Sequence, residues 1–150
     1  MASRLEGGKE LDLVLRRLPR AVQRRALVKG LRAAGKDILG PAKANVPRDQ
    51  GELFRALGIA VDRAQRAQAA IAIGARKKRG GAHAHLVEFG TVERVDPNTG
   101  KSSGVMPPQP FMRPAFEAHK FRALETFRTE LAAAMAREAE KLARGTGRRR

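Results

Sequence analysis

Pro107, Pro108, Pro110 and Pro114 crowd the stretch MPPQPFMRPAF (106–116), and no other part of the chain is so narrowly restricted. Each proline fixes its own φ and biases the residue before it towards extended geometry. A stretch stiffened in this way loses little entropy when it docks, which makes Phe111 and Met112 natural hydrophobic anchors. Pro114 suits the first turn of a helix, where its missing N–H costs nothing. Residues 106–116 therefore read as a rigid strap that ends a loop and opens the last helix. Upstream, LVEFGT (86–91) is a short apolar run closed by a Phe-Gly-Thr turn. Gly90 is expected to supply a φ that a side chain would forbid. Glu88 lies between Val87 and Phe89, and a buried carboxylate without donors is costly. It is expected to accept backbone N–H bonds from a neighbouring turn, or to pair with an arginine of its own or of the next subunit.

The chain is 150 residues long, the size of one domain with a modest core. Aromatic residues make up only 4%, all of them Phe, so the core must rest on Ala, Leu, Val and Ile, and assembly is a source of further burial. The absence of cysteine excludes disulfides and thiolate metal sites. No apolar run reaches the length of a membrane span, and MASRLEGGKELD lacks the apolar segment of a signal peptide. These features place the product in the cytoplasm where it is made, unless it leaves inside a larger particle. With 31 Lys and Arg against 15 acids the net charge is +16, which favours polyanionic partners: nucleic acid, an acidic protein surface or an anionic membrane.

In KELDLVLRRL (9–18), Leu11, Leu13 and Leu15 alternate as in a strand, while Leu11, Leu15 and Leu18 fit a helix face; the alternation is read as a strand. Pro19 then opens the longest helical pattern, about 19–44. Leu27, Leu31, Ala34 and Ile38 form an apolar stripe, with Arg25, Lys29, Arg32 and Lys36 on the opposite face. That basic face is either ordinary solvated surface or a face turned to DNA or an acidic partner. Gly40-Pro41 is expected to kink or shorten the helix end. NVPRDQG (45–51) is a turn cluster. The apolar runs 53–61 and 69–75 are read as two strands of a hairpin, since Ile59, Val61, Ile71 and Ile73 alternate and are β-branched.

Arg76, Lys77, Lys78 and Arg79, followed by two glycines, form a basic loop. It reads as a solvated hairpin tip or as a finger aimed at phosphates, in contacts that salt would weaken. His83 and His85 would share one face of a strand, but no third ligand follows at a recognised spacing, so no metal or other cofactor is expected. The polar loop 92–105 contains TGKS, yet a phosphate-binding loop needs glycine where Val95 stands, and Pro107-Pro108 forbid the helix that should follow. This loop is expected to be soft and to order on contact with a partner. The last helix should run from Pro114 to about Arg144, with Phe116, Leu124, Phe127, Leu131, Met135 and Leu142 on its apolar side. Residues 146–150 read as a disordered basic tail behind a single domain of residues 1–145. No catalytic triad, paired carboxylates or nucleophile elbow appears, which argues against an enzyme.

The three stretches VPRDQGELFRAL, VEFGT and PPQPFMRPAF, in this order, resemble the tail-component family of tailed bacteriophages, also called neck or tail-completion proteins. The residues that carry the resemblance are Pro47, Gly51 and Leu53; then Glu88, Phe89, Gly90 and Thr91; then Pro108, Gln109, Pro110, Phe111, Met112, Arg113, Pro114 and Ala115. Order and spacing agree from about Leu11 to Leu131. The resemblance implies an α+β subunit of the tail-terminator kind, with a small antiparallel sheet packed against a long N-terminal helix and a C-terminal helix. It implies a structural virion protein at the head–tail junction, repeated as a homo-oligomeric ring, a hexamer, around the DNA channel. The proline strap and the Glu88–Thr91 turn would dock on adjacent subunits, or on the connector, tail-terminator and tail-tube proteins. Arg76–Arg79 would face packaged DNA without reading its sequence. The competing reading is a free, non-sequence-specific nucleic-acid-binding protein, which would bind duplex tightly and salt-dependently as a monomer.

Overall fold

Pro19 fixes the entry to the first long helix, α1 (Arg20–Asn45), and its carbonyl accepts the Val22 and Gln23 N–H groups at 2.8 and 3.0 Å. The computed structural model describes residues 18–62, 69–93, 95–102 and 104–146, together with Leu13 and Arg16. Of the segment 9–18 read as a strand, Leu13 and Arg16 are helical, Leu18 lies in a bend, and the rest lies outside the described residues. Gly40-Pro41 does not shorten α1. Pro41 removes one donor, but the helix continues because Ala42 is fully buried and its carbonyl takes the Val46 N–H at 3.1 Å.

After α1 come a short helix α2 (Glu52–Ala56), an antiparallel pair β1 (Leu57–Asp62) and β2 (Ala70–Ala75), a short helix α3 (Ala84–Phe89) and the long closing helix α4 (Met112–Thr146). The apolar run 53–61 is thus split, its first half helical and its second half strand. The strands pair from Leu57 opposite Ala75 to Asp62 opposite Ala70. This register sets Ile59 beside Ile73 and Val61 beside Ile71, one β-branched face laid against α1. The fold is α+β: a two-stranded antiparallel sheet packed on a long N-terminal helix and a C-terminal helix.

The two long helices run antiparallel. Near the start of α1, Leu18 and Ala26 meet Leu131, Ala134 and Met135 of α4; midway, Ala34 and Ile38 meet Ala123; at the far end Val46, Leu53 and Leu57 enclose Phe111. The seam differs from the stripe read in the sequence. On α1 it follows Ala26, Gly30, Ala34, Ile38 and Ala42, and the first half of α4 buries Ala115 and Ala123 in place of Phe116 and Leu124. Small residues win because they let the helix backbones approach. A Cβ on Gly30 would stand 3.0 Å from the Phe127 ring, and one on Gly35 would stand 2.9 Å from Ile71 Cδ1. Two large apolar residues in the first half of α4 are thereby turned outward: Phe121 is 71% exposed and Phe116 49%.

Candidate functional site

The residues singled out on either side of loop 92–105 meet in one clasp. The Gln109 N–H donates to the Val87 carbonyl at 2.8 Å, the Thr91 N–H to the Met106 carbonyl at 2.9 Å, and the Met106 N–H to Thr91 Oγ1 at 3.0 Å. Glu88, at the end of α3, is buried and reaches the head of α4. Its Oε2 accepts the N–H groups of Phe111 and Met112, both at 2.9 Å, and its Oε1 accepts that of Arg113 at 3.0 Å. The first turn of a helix leaves such donors unpaired and carries positive dipole charge. The strap itself offers no side-chain acceptor there, so a carboxylate from another element caps α4. Burial pushes the Glu88 carboxyl up, but the three N–H bonds and the Arg113 charge outweigh it, and the group titrates below the ordinary range. Glu88 thus takes the backbone role among those its sequence position left open.

Gly90 follows with φ 74° and ψ −174°, a region open in practice to glycine alone. A Cβ there would meet the Met106 carbonyl oxygen at 2.7 Å and the Pro108 nitrogen at 2.9 Å. Gly90→Ala is expected to cost about 2 kcal/mol in chemical denaturation, from strained backbone and a clash with the strap.

Phe111 overturns its sequence reading. It is only 1% exposed, the largest fully buried side chain among the described residues, and it anchors the chain's own core rather than another subunit. Met112 is half-buried against the same cluster. The strap's stiffness serves closure of the monomer. Pro108, Gln109, Pro110 and Pro114 remain exposed on its outer side. Phe89 does face outward, 75% exposed, beside the exposed Val92. With Phe116 it borders an open apolar groove of about 710 Å³, floored by Ile71 and Ile73 of β2 and by Ile38. The outward turn of Phe116 and Phe121 was missed in the sequence. The signal was there: α4 carries more large apolar residues than one seam against small residues can bury.

The basic loop is not the hairpin tip. The connection between the strands (63–68) lies outside the described residues, and Lys77–Arg79 form a 3-10 turn after β2. Arg76 is engaged within the fold, donating to the Ile59 carbonyl at 2.7 Å, whereas Lys77, Lys78 and Arg79 are exposed. His83 precedes α3 and His85 lies in it, so the two do not share the strand face supposed for them. Loop 92–105 has structure of its own: Val95 pairs with Ser102, and Asp96 Oδ1 accepts the Asn98 N–H at 2.8 Å. Of the basic tail read at 146–150, Thr146 is the last residue of α4, and the rest lies outside the described residues.

A distant carboxylate capping the closing helix, a seam of small residues and a two-stranded sheet define a compact α+β building block. Residues 9–90 match the family model described as "Bacteriophage HK97-gp10, putative tail-component". The match covers more than half of the chain, which belongs to this family of phage tail components. The matched residues take in Pro47, Gly51, Leu53 and the Glu88–Gly90 turn, and the strap lies beyond them. No curated protein and no solved structure matches the chain.

Proposed function

We propose that this tail component is a non-enzymatic structural subunit at the junction of head and tail, closing with copies of itself into a ring around the DNA channel. The ring, a hexamer in this reading, joins the connector and tail-terminator proteins to the tail tube. The subunit is made in the host cytoplasm and ends in the virion. The observation that carries the reading is the outward apolar surface made by Phe89 and Phe116 beside the β2 groove. A soluble chain has no use for such a patch unless something covers it. Only head-to-tail contacts between unlike surfaces close rings of more than two subunits, and an outward groove on one side of the subunit supplies one half of such a contact. Phe89 and Phe116 thus take over the docking role first read into Phe111.

Sedimentation velocity tests this. The native chain is expected to sediment as a closed oligomer at high concentration. Phe89→Ser combined with Phe116→Ser is expected to sediment as a monomer with an unchanged circular dichroism spectrum, because both side chains stand outside the core. A native chain that stays monomeric at the highest soluble concentration, or a double variant that still closes, would overturn the reading.

A further inference from the structure

The charges of α1 and α4 are organised in opposite ways. On α4 the cations from Lys120 onward each have an acid beside them: Lys120 and Glu117 at 2.6 Å, Arg128 and Glu125 at 2.7 Å, Lys141 and Glu138 at 2.8 Å, Arg122 and Asp37 at 3.7 Å, Arg144 and Glu140 at 3.7 Å, Arg137 and Glu130 at 4.0 Å. On α1 every charged residue from Arg20 to Lys36 is basic. Arg25, Lys29, Arg32 and Lys36 are all exposed, and among the described residues none makes an ion pair within 4.0 Å. The next acid along α1, Asp37, is turned away to Arg122 and to the Thr126 hydroxyl, which donates to it at 2.5 Å. Glu138 acts on Arg25 from α4, but its carboxylate is bonded to Lys141. One side of α1 therefore carries a row of four exposed cations with no acid paired to them among the described residues.

These cations edge an open groove of about 870 Å³ that also takes in Arg24 and Glu130, the latter paired with Arg137. The Arg24 Nε is buried and, among the described residues, has no hydrogen-bond acceptor. The spacing i, i+4, i+7, i+11 lays four positive charges along about 16 Å of a straight rod. That is an array for a polymer with a repeated negative charge.

We propose that this face of α1 is a binding site for the phosphate backbone of duplex DNA, held without regard to base sequence. Phosphate contacts need closely spaced cations and nothing that reads bases, and the row carries no aromatic, Asn or Gln side chain. An acidic protein is the poorer occupant, because lysine is depleted at the centres of protein interfaces while DNA-binding surfaces are strongly positive. The site goes beyond the ring reading and does not depend on it, since the isolated chain suffices to measure binding. Lys77, Lys78 and Arg79 are the natural comparison, three exposed cations on a turn rather than along a helix.

The test is fluorescence anisotropy of a mixed-sequence duplex of about 30 base pairs, titrated with the full chain at about 50 and 200 mM salt. With four phosphate contacts the native affinity is expected to fall about 100-fold between the two salts. The variant R25Q/K29Q/R32Q/K36Q keeps good helix formers at exposed positions. It is expected to bind about 100-fold more weakly at the lower salt, with a salt slope smaller by about four. K77Q/K78Q/R79Q is expected to change that slope by less than about one. Equal loss per charge from the two variants, or no loss from the first while its circular dichroism is intact, would overturn the site. So would tighter binding of poly-glutamate than of duplex at equal salt, which would assign the face to an acidic protein.

Discussion

Replacing Phe111 with Ala is expected to destabilise the folded monomer by about 4 kcal/mol, seen as a large fall in the urea midpoint with little change in slope. The ring lies among Val46, Leu53 and Leu57, with Phe54, Val87 and Met112 around it, and it joins the end of α1, the start of β1 and the head of α4. Truncation removes the apolar contact and leaves a cavity that three separately anchored elements cannot close. The measurement also separates two views of the strap. If Phe111 gripped a neighbour, the variant would fold normally and fail only to assemble; here the monomer itself is expected to suffer.

The second large effect concerns Glu88. Glu88→Ala is expected to cost about 3 kcal/mol, because three helix-terminal N–H groups lose a shared charged acceptor in a buried place. Glu88→Gln keeps one carbonyl oxygen and is expected to cost about 2 kcal/mol. The pH dependence has a definite sign. The carboxyl titrates in the folded chain below its ordinary value of 4.5, so its stabilisation is complete above that value and is lost as pH falls through the lower folded value. The gap in urea midpoint between the native chain and Glu88→Gln should therefore be wide at neutral pH and narrow in acid. A gap that stays constant down to about pH 3 would mean that the carboxylate charge contributes nothing to the cap.

Much of this architecture is written locally in the sequence. Pro19 and the spacing of Leu27, Ala34 and Ile38 announce α1, and Pro114 announces the head of α4. The β-branched residues 59, 61, 71 and 73 announce the hairpin. What local pattern does not carry is which partner a hydrophobic group chooses. Phe111 on a stiff strap is equally suited to its own core and to a neighbour's, and only the arrival of Val46 and Leu53 in space decides between them. The seam misled for a related reason. Hydrophobic spacing picks out large residues, whereas the closest approach of α1 and α4 depends on Gly30 and Ala34, whose contribution is the absence of bulk. Glu88 was identifiable as a buried acid, but its acceptor role for Phe111, Met112 and Arg113 spans more than twenty residues of chain and has no local signature. The outward surface of Phe89 and Phe116 became visible only once the seam was known to exclude them.

The pairing of Thr91 with Met106 ties together both ends of the segment that crosses from one to the other. Its tip at Asn98 and Thr99 lies beyond the Val95–Ser102 bridge, away from the knot that holds the body together. Lengthening such a tethered bight adds only a logarithmic entropic penalty. Residues inserted at this tip are therefore expected to lower the stability of the framework beneath it only slightly.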